Sequence, residues 1–196
     1  MGRGKRKSTA QLGPTRAEAV PQLIEHPDGS REWRLNGQRH REDGPAIERA
    51  SGTREWWLNG DRHRDDGPAV EHATGTCEWL LNGKLHREDG PAFRDRNGAP
   101  EWWLDGELHR EDGPAIEDAD GRREWWRHGR RHREDGTAIE WADGRREWHL
   151  HGHPLTKSAH DAAVAALRAE RAAETAAAIV IRPGQRRRPS GLAASV

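Results

Sequence analysis

Residues 54–76 read REWWLNGDRHRDDGPAVEHATGT, and the same pattern returns every 23 residues along the chain. A half-repeat covers residues 21–30, full copies begin at residues 31, 54, 77, 100 and 123, and a partial copy begins at residue 146. One copy is too short to bury a core alone, so each copy must be stabilised by packing against its neighbours. The pattern therefore predicts a repeat protein.

Turn signals divide each copy into short strands. Asn59-Gly60 suits a two-residue hairpin turn, because both residues tolerate a positive φ. Pro68 lacks the N–H that a strand ladder needs and so ends the pairing. Thr74-Gly75 then leads into the next copy. We expect an all-β fold over residues 20–155, an elongated antiparallel β-meander of 23-residue units.

Comparison of the copies predicts which positions are buried. Trp56 and Leu58 stand two residues apart, so they share one side of a strand, and we expect them to form the core with Val70. The position between them changes from copy to copy, in the order Arg34, Trp57, Leu80, Trp103, Trp126 and His149. These residues form either a second packed layer or an exposed aromatic stripe that docks a partner.

A histidine, an arginine and two acids recur in every full copy. The histidines are His40, His63, His86, His109 and His132, and the second acids are Asp43, Asp66, Asp89, Asp112 and Asp135. A histidine beside an acid suits general-base catalysis or metal binding. An active site is a single constellation, however, whereas this block recurs five times. We therefore interpret it as a structural ladder, with the histidine and aspartate holding the loop and the arginine pairing with an acid in the next copy. A metal or anion array and catalysis are the alternatives.

The sequence predicts no enzyme, no cofactor and no metal. It has no glycine-rich phosphate loop, no Cys-x-x-Cys and no His-Glu-x-x-His. His149, His151 and His153 alternate near the last copy and are a weak metal-site signal, because Gly152 interrupts them at a turn position. Cys77 is the only cysteine, so no intramolecular disulfide forms within this sequence.

The segments that flank the repeats differ in composition. Residues 156–181 are alanine-rich and predict a helix that caps the open end of the sheet, starting with a Ser158–Asp161 capping box and packing through Val164, Leu167 and Ile179. Residues 1–19 and 182–196 hold nine of the 33 basic residues and predict a disordered arm and tail. No apolar run suggests a signal peptide or a membrane span, so we expect a cytoplasmic protein.

The sequence pattern of the unit resembles that of MORN repeats, which are β-hairpin units of 23 residues. The matching features are Trp57-x-Asn59-Gly60, then His63, then the Thr74-Gly75 turn, and the resemblance covers residues 21–152. Arg64 follows the histidine where that family usually has glycine, and tyrosine is absent. The chain is more similar to the bacterial and phage MORN-variant group, with tandem W-x-x-N-G-x-x-H-R-x-D-G-P-A. The resemblance implies a twisted antiparallel sheet that serves protein or lipid contacts.

Two further classes of function accompany the leading hypothesis, which is a non-enzymatic interaction or scaffold module. In that hypothesis a protein partner docks on the face that carries Trp57, Trp103 and Trp126, with Arg34 and His149 as further candidates. An aromatic stripe also suits a small ligand or a cell-wall polymer. The basic tails suit nucleic acid, whose binding would weaken steeply with salt.

Overall fold

The computed structural model describes residues 20–180, and the side chains up to residue 178. The predicted arm of residues 1–19 and tail of residues 182–196 lie outside this range, as does the side chain of Ile179. The fold-class prediction is confirmed: the described chain is an antiparallel meander of β-hairpins followed by one helix. No helix within residues 20–180 has both the length and the apolar character needed to cross a bilayer.

The chain divides into two compact units, residues 1–108 and residues 109–196. The first unit contains β1 (Gln22–Glu25), β2 (Arg31–Leu35), β3 (Gln38–Arg39), β4 (Ile47–Glu48), β5 (Arg54–Glu55), β6 (Trp57–Leu58), β7 (Asp61–Arg62), β8 (Val70–Glu71), β9 (Cys77–Glu78), β10 (Leu80–Leu81), β11 (Lys84–Leu85), β12 (Phe93–Arg94), β13 (Pro100–Glu101), β14 (Trp103–Leu104) and β15 (Glu107–Leu108). The second unit contains β16 (Ile116–Glu117), β17 (Arg123–Glu124), β18 (Trp126–Arg127), β19 (Arg130–Arg131), β20 (Ile139–Glu140), β21 (Arg146–Leu150), β22 (His153–Leu155) and α1 (Lys157–Val180).

Each unit combines one continuous sheet with short two-stranded hairpins. In the first unit the strand order of the sheet is β1-β2-β4-β5-β8-β9-β12-β13, with β3 paired to β2. The separate hairpins are β6–β7, β10–β11 and β14–β15. In the second unit the order is β16-β17-β20-β21-β22, with the hairpin β18–β19. Each of the middle copies therefore supplies two strands to a sheet and one hairpin beside it.

The predicted Asn-Gly hairpin turn is confirmed by the backbone. Asn59 has a φ of 51° and Gly60 has a φ of 94°, the positive values that a type I′ turn requires at both central positions. The same positive φ occurs at the first turn residue of every copy, namely Asn36, Asn59, Asn82, Asp105, His128 and His151. A short polar side chain at this position is tolerated in the left-handed region, which explains the preference for asparagine.

The single strand expected to carry both Trp56 and Leu58 is divided at Trp56 into β5 and β6. The N–H of Trp56 donates to the carbonyl of Ala69 (2.8 Å), and its carbonyl accepts the N–H of His63 (3.1 Å). Ala69 directly precedes β8 of the main sheet and His63 directly follows β7, so the chain passes from one ladder to the other at Trp56. Neighbouring hairpins are also linked, since the N–H of Arg41 donates to Trp57 and the N–H of Gly60 donates to Arg39.

The buried core differs from the predicted Trp56–Leu58–Val70 layer. Val70 is buried as expected, but it lies directly opposite Glu55 in the sheet, and directly opposite residues share a face. Val70 packs with Ala69 and Leu80. Trp56 and Leu58 are only half-buried. The prediction placed Trp56 and Leu58 on the face of Val70, whereas the register places Glu55 there, and a shift of one residue exchanges the two faces.

The C-terminal helix α1 starts where a cap was predicted, with a different residue as the cap. The Oγ1 of Thr156 accepts the N–H of Ala159 (3.3 Å), so Thr156 is the N-cap. Asp161 instead accepts the Nζ of Lys157 (2.7 Å), which contradicts the predicted Ser158–Asp161 capping box. Val164 is buried and α1 packs against β21 and β22, so the helix covers this end of the sheet in the second unit.

Candidate functional site

The recurring histidines anchor the hairpin turn of the following copy. The Nδ1 of His63 accepts the backbone N–H of Asn82, 19 residues later (3.2 Å). The same bond joins His40 to Asn59, His86 to Asp105, His109 to His128 and His132 to His151. In three copies the same Nδ1 also lies 2.9–3.0 Å from the side-chain oxygen of the turn residue, at Asn59, Asn82 and Asp105. The histidines therefore hold the left-handed turn residues in place across copies.

The arginine after each histidine folds back within its own copy. The guanidinium of Arg64 lies 4.1 Å from the centroid of the Trp56 ring, and its Nε donates to Asp66 (3.0 Å). The predicted pairing with an acid of the next copy is therefore wrong. The corresponding bonds in the other copies are Arg41 to Asp43, Arg87 to Asp89, Arg110 to Asp112 and Arg133 to Asp135. The arginine hydrogen bond lowers the pKa of four of these carboxyls, those of Asp43, Asp89, Asp112 and Asp135.

The glycine of each Asp-Gly-Pro segment leaves room for this arginine. A Cβ placed on Gly67 would come within 2.6 Å of the Arg64 Cζ and 2.8 Å of its Nε. Gly67 is itself buried. The glycine is thus required for space beside the guanidinium, which differs from the conformational requirement at Gly60.

The glutamate that directly precedes the first tryptophan of each copy was missed by the sequence analysis, and it is buried at Glu32, Glu55 and Glu124. Glu55 is 2% exposed and accepts hydrogen bonds from Arg49 (2.6 Å), Arg62 (3.2 Å) and the indole N–H of Trp57 (3.2 Å). Burial opposes ionisation of Glu55, but the bonds from Arg49 and Arg62 outweigh it and its pKa is lowered. The signal was present, because glutamate occupies this position in all six copies: Glu32, Glu55, Glu78, Glu101, Glu124 and Glu147.

The tryptophans proposed as partner contacts are half-buried and held by polar groups. The Trp57 ring has the Arg39 guanidinium at 4.8 Å and the Arg62 guanidinium at 5.3 Å from its centroid. Trp103 is half-buried in the first unit and donates its indole N–H to Glu101 (2.9 Å). In the second unit, half-buried Trp126 donates its indole N–H to Glu124 (3.0 Å) and has the Arg131 guanidinium at 5.1 Å.

Arg34 and His149 occupy the same repeat position but present different surfaces. Arg34 is half-buried, and it donates to Glu32 (2.8 Å) and to the carbonyl of Gly37 (3.0 Å). His149 is buried, 5% exposed, and its Nε2 lies 2.9 Å from a Glu147 carboxylate oxygen. Burial of His149 removes it from the set of residues that could touch a partner directly.

Cross-strand pairing places the tryptophans of the first unit in a row, which we name the hairpin row. Its pairs are Arg34 with Arg39, Trp57 with Arg62, Leu80 with Leu85, and Trp103 with Leu108. Paired residues share a face, so the row changes from basic and aromatic at its first two pairs to apolar at its last two. The side chains of Arg39 and Arg62 are each 37% exposed. Leu80 is buried in the cluster with Ala69 and Val70, and Leu85 packs against that cluster, so the partly exposed members of the row include Arg39, Trp57, Arg62 and Trp103.

Two clefts are formed at equivalent positions of different copies. In the first unit, a cleft of about 510 Å³ is lined by residues 41–44, residues 63–66, Trp56 and Leu58. In the second unit, a cleft of about 430 Å³ is lined by residues 110–113, residues 132–135, Trp125, Arg127, Arg168 and Arg171. We name the second one the helix cleft, because Arg168 and Arg171 belong to α1.

The sequence signals for metal and thiol chemistry are not assembled into sites in the described chain. His149 pairs with Glu147, while the ring of His151 lies against that of His132 (4.5 Å between centroids). Within residues 20–180 no group of three or more histidine, cysteine, aspartate or glutamate side chains could hold a metal ion. Cys77 is half-buried, and burial, reinforced by Glu71, raises the pKa of its thiol.

Comparison with known proteins does not choose between these surfaces. No family model and no curated protein matches the chain. The functions of the hairpin row and of the helix cleft are therefore inferred from their residues, contacts and charge.

Proposed function

We propose that the chain is a non-catalytic interaction module that binds a protein partner through the hairpin row. The observation that supports this proposal is the cluster of Arg39, Trp57 and Arg62, in which two partly exposed guanidinium groups lie 4.8 and 5.3 Å from the centroid of one indole ring. Tryptophan and arginine are the residues most enriched at the energetic centres of protein interfaces. We further propose that the copies are MORN-variant repeats and that the protein is cytoplasmic.

The chemistry of the row favours a partner segment that carries both acidic and apolar side chains. Arg39 and Arg62 each bind a buried glutamate of their own copy, and each side chain is 37% exposed. A guanidinium has five N–H donors in a planar fork, so donors remain for a carboxylate of the partner. Leu85 and Trp103 at the other end of the row would receive apolar groups.

The contrast between constant and variable positions of the repeat supports the same proposal. The shared histidine, arginine and aspartate of each copy hold turns and loops within the sheet. The Trp57 position instead carries arginine, tryptophan, leucine or histidine in different copies, and the fold accommodates all four. Positions that vary on a fixed scaffold are available for recognition. Trp126 would contribute an equivalent contact in the second unit, whereas buried His149 would not touch the partner.

The third copy supplies a substitution that tests this proposal with little risk to the fold. Leu80 occupies the Trp57 position in that copy, so Trp57→Leu and Trp103→Leu introduce a residue that the scaffold already accepts. Three bait proteins are compared: the full chain, the double variant and a control variant. Each bait is used to capture proteins from a lysate of the native cell, and the captured proteins are identified by mass spectrometry. Asp61→Asn is the control, because Asp61 is exposed in β7 beside Arg62 but on the opposite face.

We expect the double variant to lose the proteins that the full chain captures, and we expect the Asp61→Asn variant to retain all of them. Retention of every captured protein by the double variant would refute the proposal. A sugar or quaternary ammonium ligand would have to displace Arg39 or Arg62 to stack on Trp57. Nucleic-acid binding concerns residues 1–19 and 182–196, and deletion of both segments tests it separately.

A further inference from the structure

The helix cleft differs from its counterpart in the first unit by an exchange of one wall residue. Leu58 lines the cleft of the first unit, and Arg127 stands at the equivalent position of the helix cleft, 69 residues or three repeats later. Leucine occupies this position in every other copy. The helix α1 adds Arg168 and Arg171 to the same cleft. Both changes bring positive charge into a space that is acidic elsewhere.

The two clefts differ in the balance of arginines and acids that line them. The cleft of the first unit has two arginines against four acids. The helix cleft has five arginines against four acids. Three of those acids have an arginine of their own: Asp112 binds Arg110, Asp135 binds Arg133, and Glu134 binds Arg171 through two bonds of 2.7 and 2.8 Å.

Two arginines of the helix cleft remain available after this pairing. Among the described residues, the guanidinium groups of Arg127 and Arg168 make no hydrogen bond and no ion pair, although the charge of Arg168 helps to lower the pKa of Asp135. Glu111 at the rim is the remaining acid, and it is exposed to solvent. Unpaired guanidinium groups facing a common space are the usual protein arrangement for binding phosphate or carboxylate.

A buried nitrogen in the same cleft also makes no hydrogen bond to any described residue. His132 is 6% exposed, and its Nδ1 accepts the backbone N–H of His151 (3.1 Å). Burial, together with His151 and Arg127, lowers the pKa of His132 against the opposing effect of Glu134, so the neutral ring is favoured. Because Nδ1 accepts a hydrogen bond, the proton of the neutral ring lies on Nε2. This Nε2 makes no hydrogen bond in the described structure; the nearest acidic oxygen, on Glu134, is 3.5 Å away. A buried N–H without an acceptor is rare in folded proteins.

We propose that the helix cleft binds a phosphate group, with Arg127 and Arg168 as its charged ligands and His132 as a neutral donor. Three acceptor oxygens of a phosphate match one N–H and two guanidinium forks. The acids at the rim, Glu111 and Asp112 among them, disfavour a long polyanion, so the ligand is free phosphate or a small phosphate monoester. The site shares no residue with the hairpin row, so either proposal can fail without the other.

Titration of the full chain with inorganic phosphate tests this site, with chloride used to hold the ionic strength constant. The ¹⁵N resonance of the His132 Nε2–H is followed by NMR, and a saturable shift is the expected result. Arg127→Leu restores the leucine of the other copies, so the variant should fold and should lose affinity at least tenfold. Arg130→Ala removes the same charge from an exposed arginine of the same copy that does not line the cleft, and should bind as the parent does.

Phosphate that produces no saturable shift would refute the site. Equal losses of affinity in Arg127→Leu and Arg130→Ala would also refute it, because binding would then depend only on net charge. A second titration with phenyl phosphate identifies the source of the group. Tighter binding of phenyl phosphate than of inorganic phosphate indicates a monoester ligand, and equal or weaker binding indicates free phosphate.

Discussion

Replacement of Gly67 by alanine should destabilise the protein through a single neighbour, the Arg64 guanidinium. The new Cβ would lie 2.6 Å from the Arg64 Cζ, whereas ordinary contacts begin near 3.4 Å, so the guanidinium must move by at least about 0.8 Å. It has little room to do so, because the Trp56 centroid is 4.1 Å away and Asp66 holds its Nε. The expected structural result is loss of the arginine–tryptophan stack.

The magnitude of this effect follows from two opposing contributions. A partly buried cation–π contact is worth about 1–2 kcal/mol, and this stabilisation would be lost. Alanine also restricts the unfolded chain more than glycine does, which stabilises the folded state by about 0.4–1 kcal/mol at a compatible position. Gly67 is compatible, because its φ lies outside the left-handed region. The net loss in the free energy of unfolding should therefore be about 1 kcal/mol.

A double-mutant cycle separates the two contributions. In an Arg64→Ala background the new methyl group meets no guanidinium, so Gly67→Ala should stabilise the protein by about 0.4–1 kcal/mol instead of destabilising it. Urea unfolding of the four proteins, followed by tryptophan fluorescence, measures both effects. An equal destabilisation in both backgrounds would refute the reasoning, because the glycine would then be needed for its backbone and not for space.

Three further predictions concern the carboxylate, the helix cap and the histidines of the last copy. Glu55→Gln should destabilise the protein by about 1–3 kcal/mol at pH 7. Because the pKa of Glu55 is lowered by folding, its ionised form stabilises the fold above about pH 4.5, and the difference between parent and variant should shrink as the pH falls below that value; a constant difference contradicts this. Thr156→Ala should cost about 1 kcal/mol and Ser158→Ala much less, measured by thermal unfolding; equal losses would contradict the assignment of Thr156 as the cap. Zinc should leave the midpoint of unfolding unchanged, and a rise that chelator reverses would contradict this.

Local features of the fold were predictable from the sequence because they depend on adjacent residues. The Asn59-Gly60 turn follows from the conformations that these two residues tolerate, and the helix follows from an alanine-rich composition. Register was not predictable in the same way. It depends on which residue of a neighbouring strand lies opposite, and the structure places Val70 opposite Glu55.

The candidate site was predicted in part, for the same reason. The alternation of Trp57 with Trp56 indicated a second face, but its polar partners come from elsewhere in the fold: Glu55 is reached by Arg49 and Arg62 from two other strands or loops. The helix cleft depends on contacts between α1 and the fifth copy, which no local pattern encodes. Its one sequence signal is Arg127, the only interruption in an otherwise constant column of leucines.

Because of the histidine anchors, the fold can tolerate a change in the number of repeat copies. Each anchor joins a histidine to a turn residue 19 positions later, inside a repeat of 23. Removal of residues 54–76 would place Asn82 19 positions after His40, so every turn that has a histidine anchor and remains in the chain would keep one. Removal of one residue more or fewer would separate the anchor from its turn. Such a chain can change in length by whole copies without a new kind of contact, which is the property that tandem duplication requires.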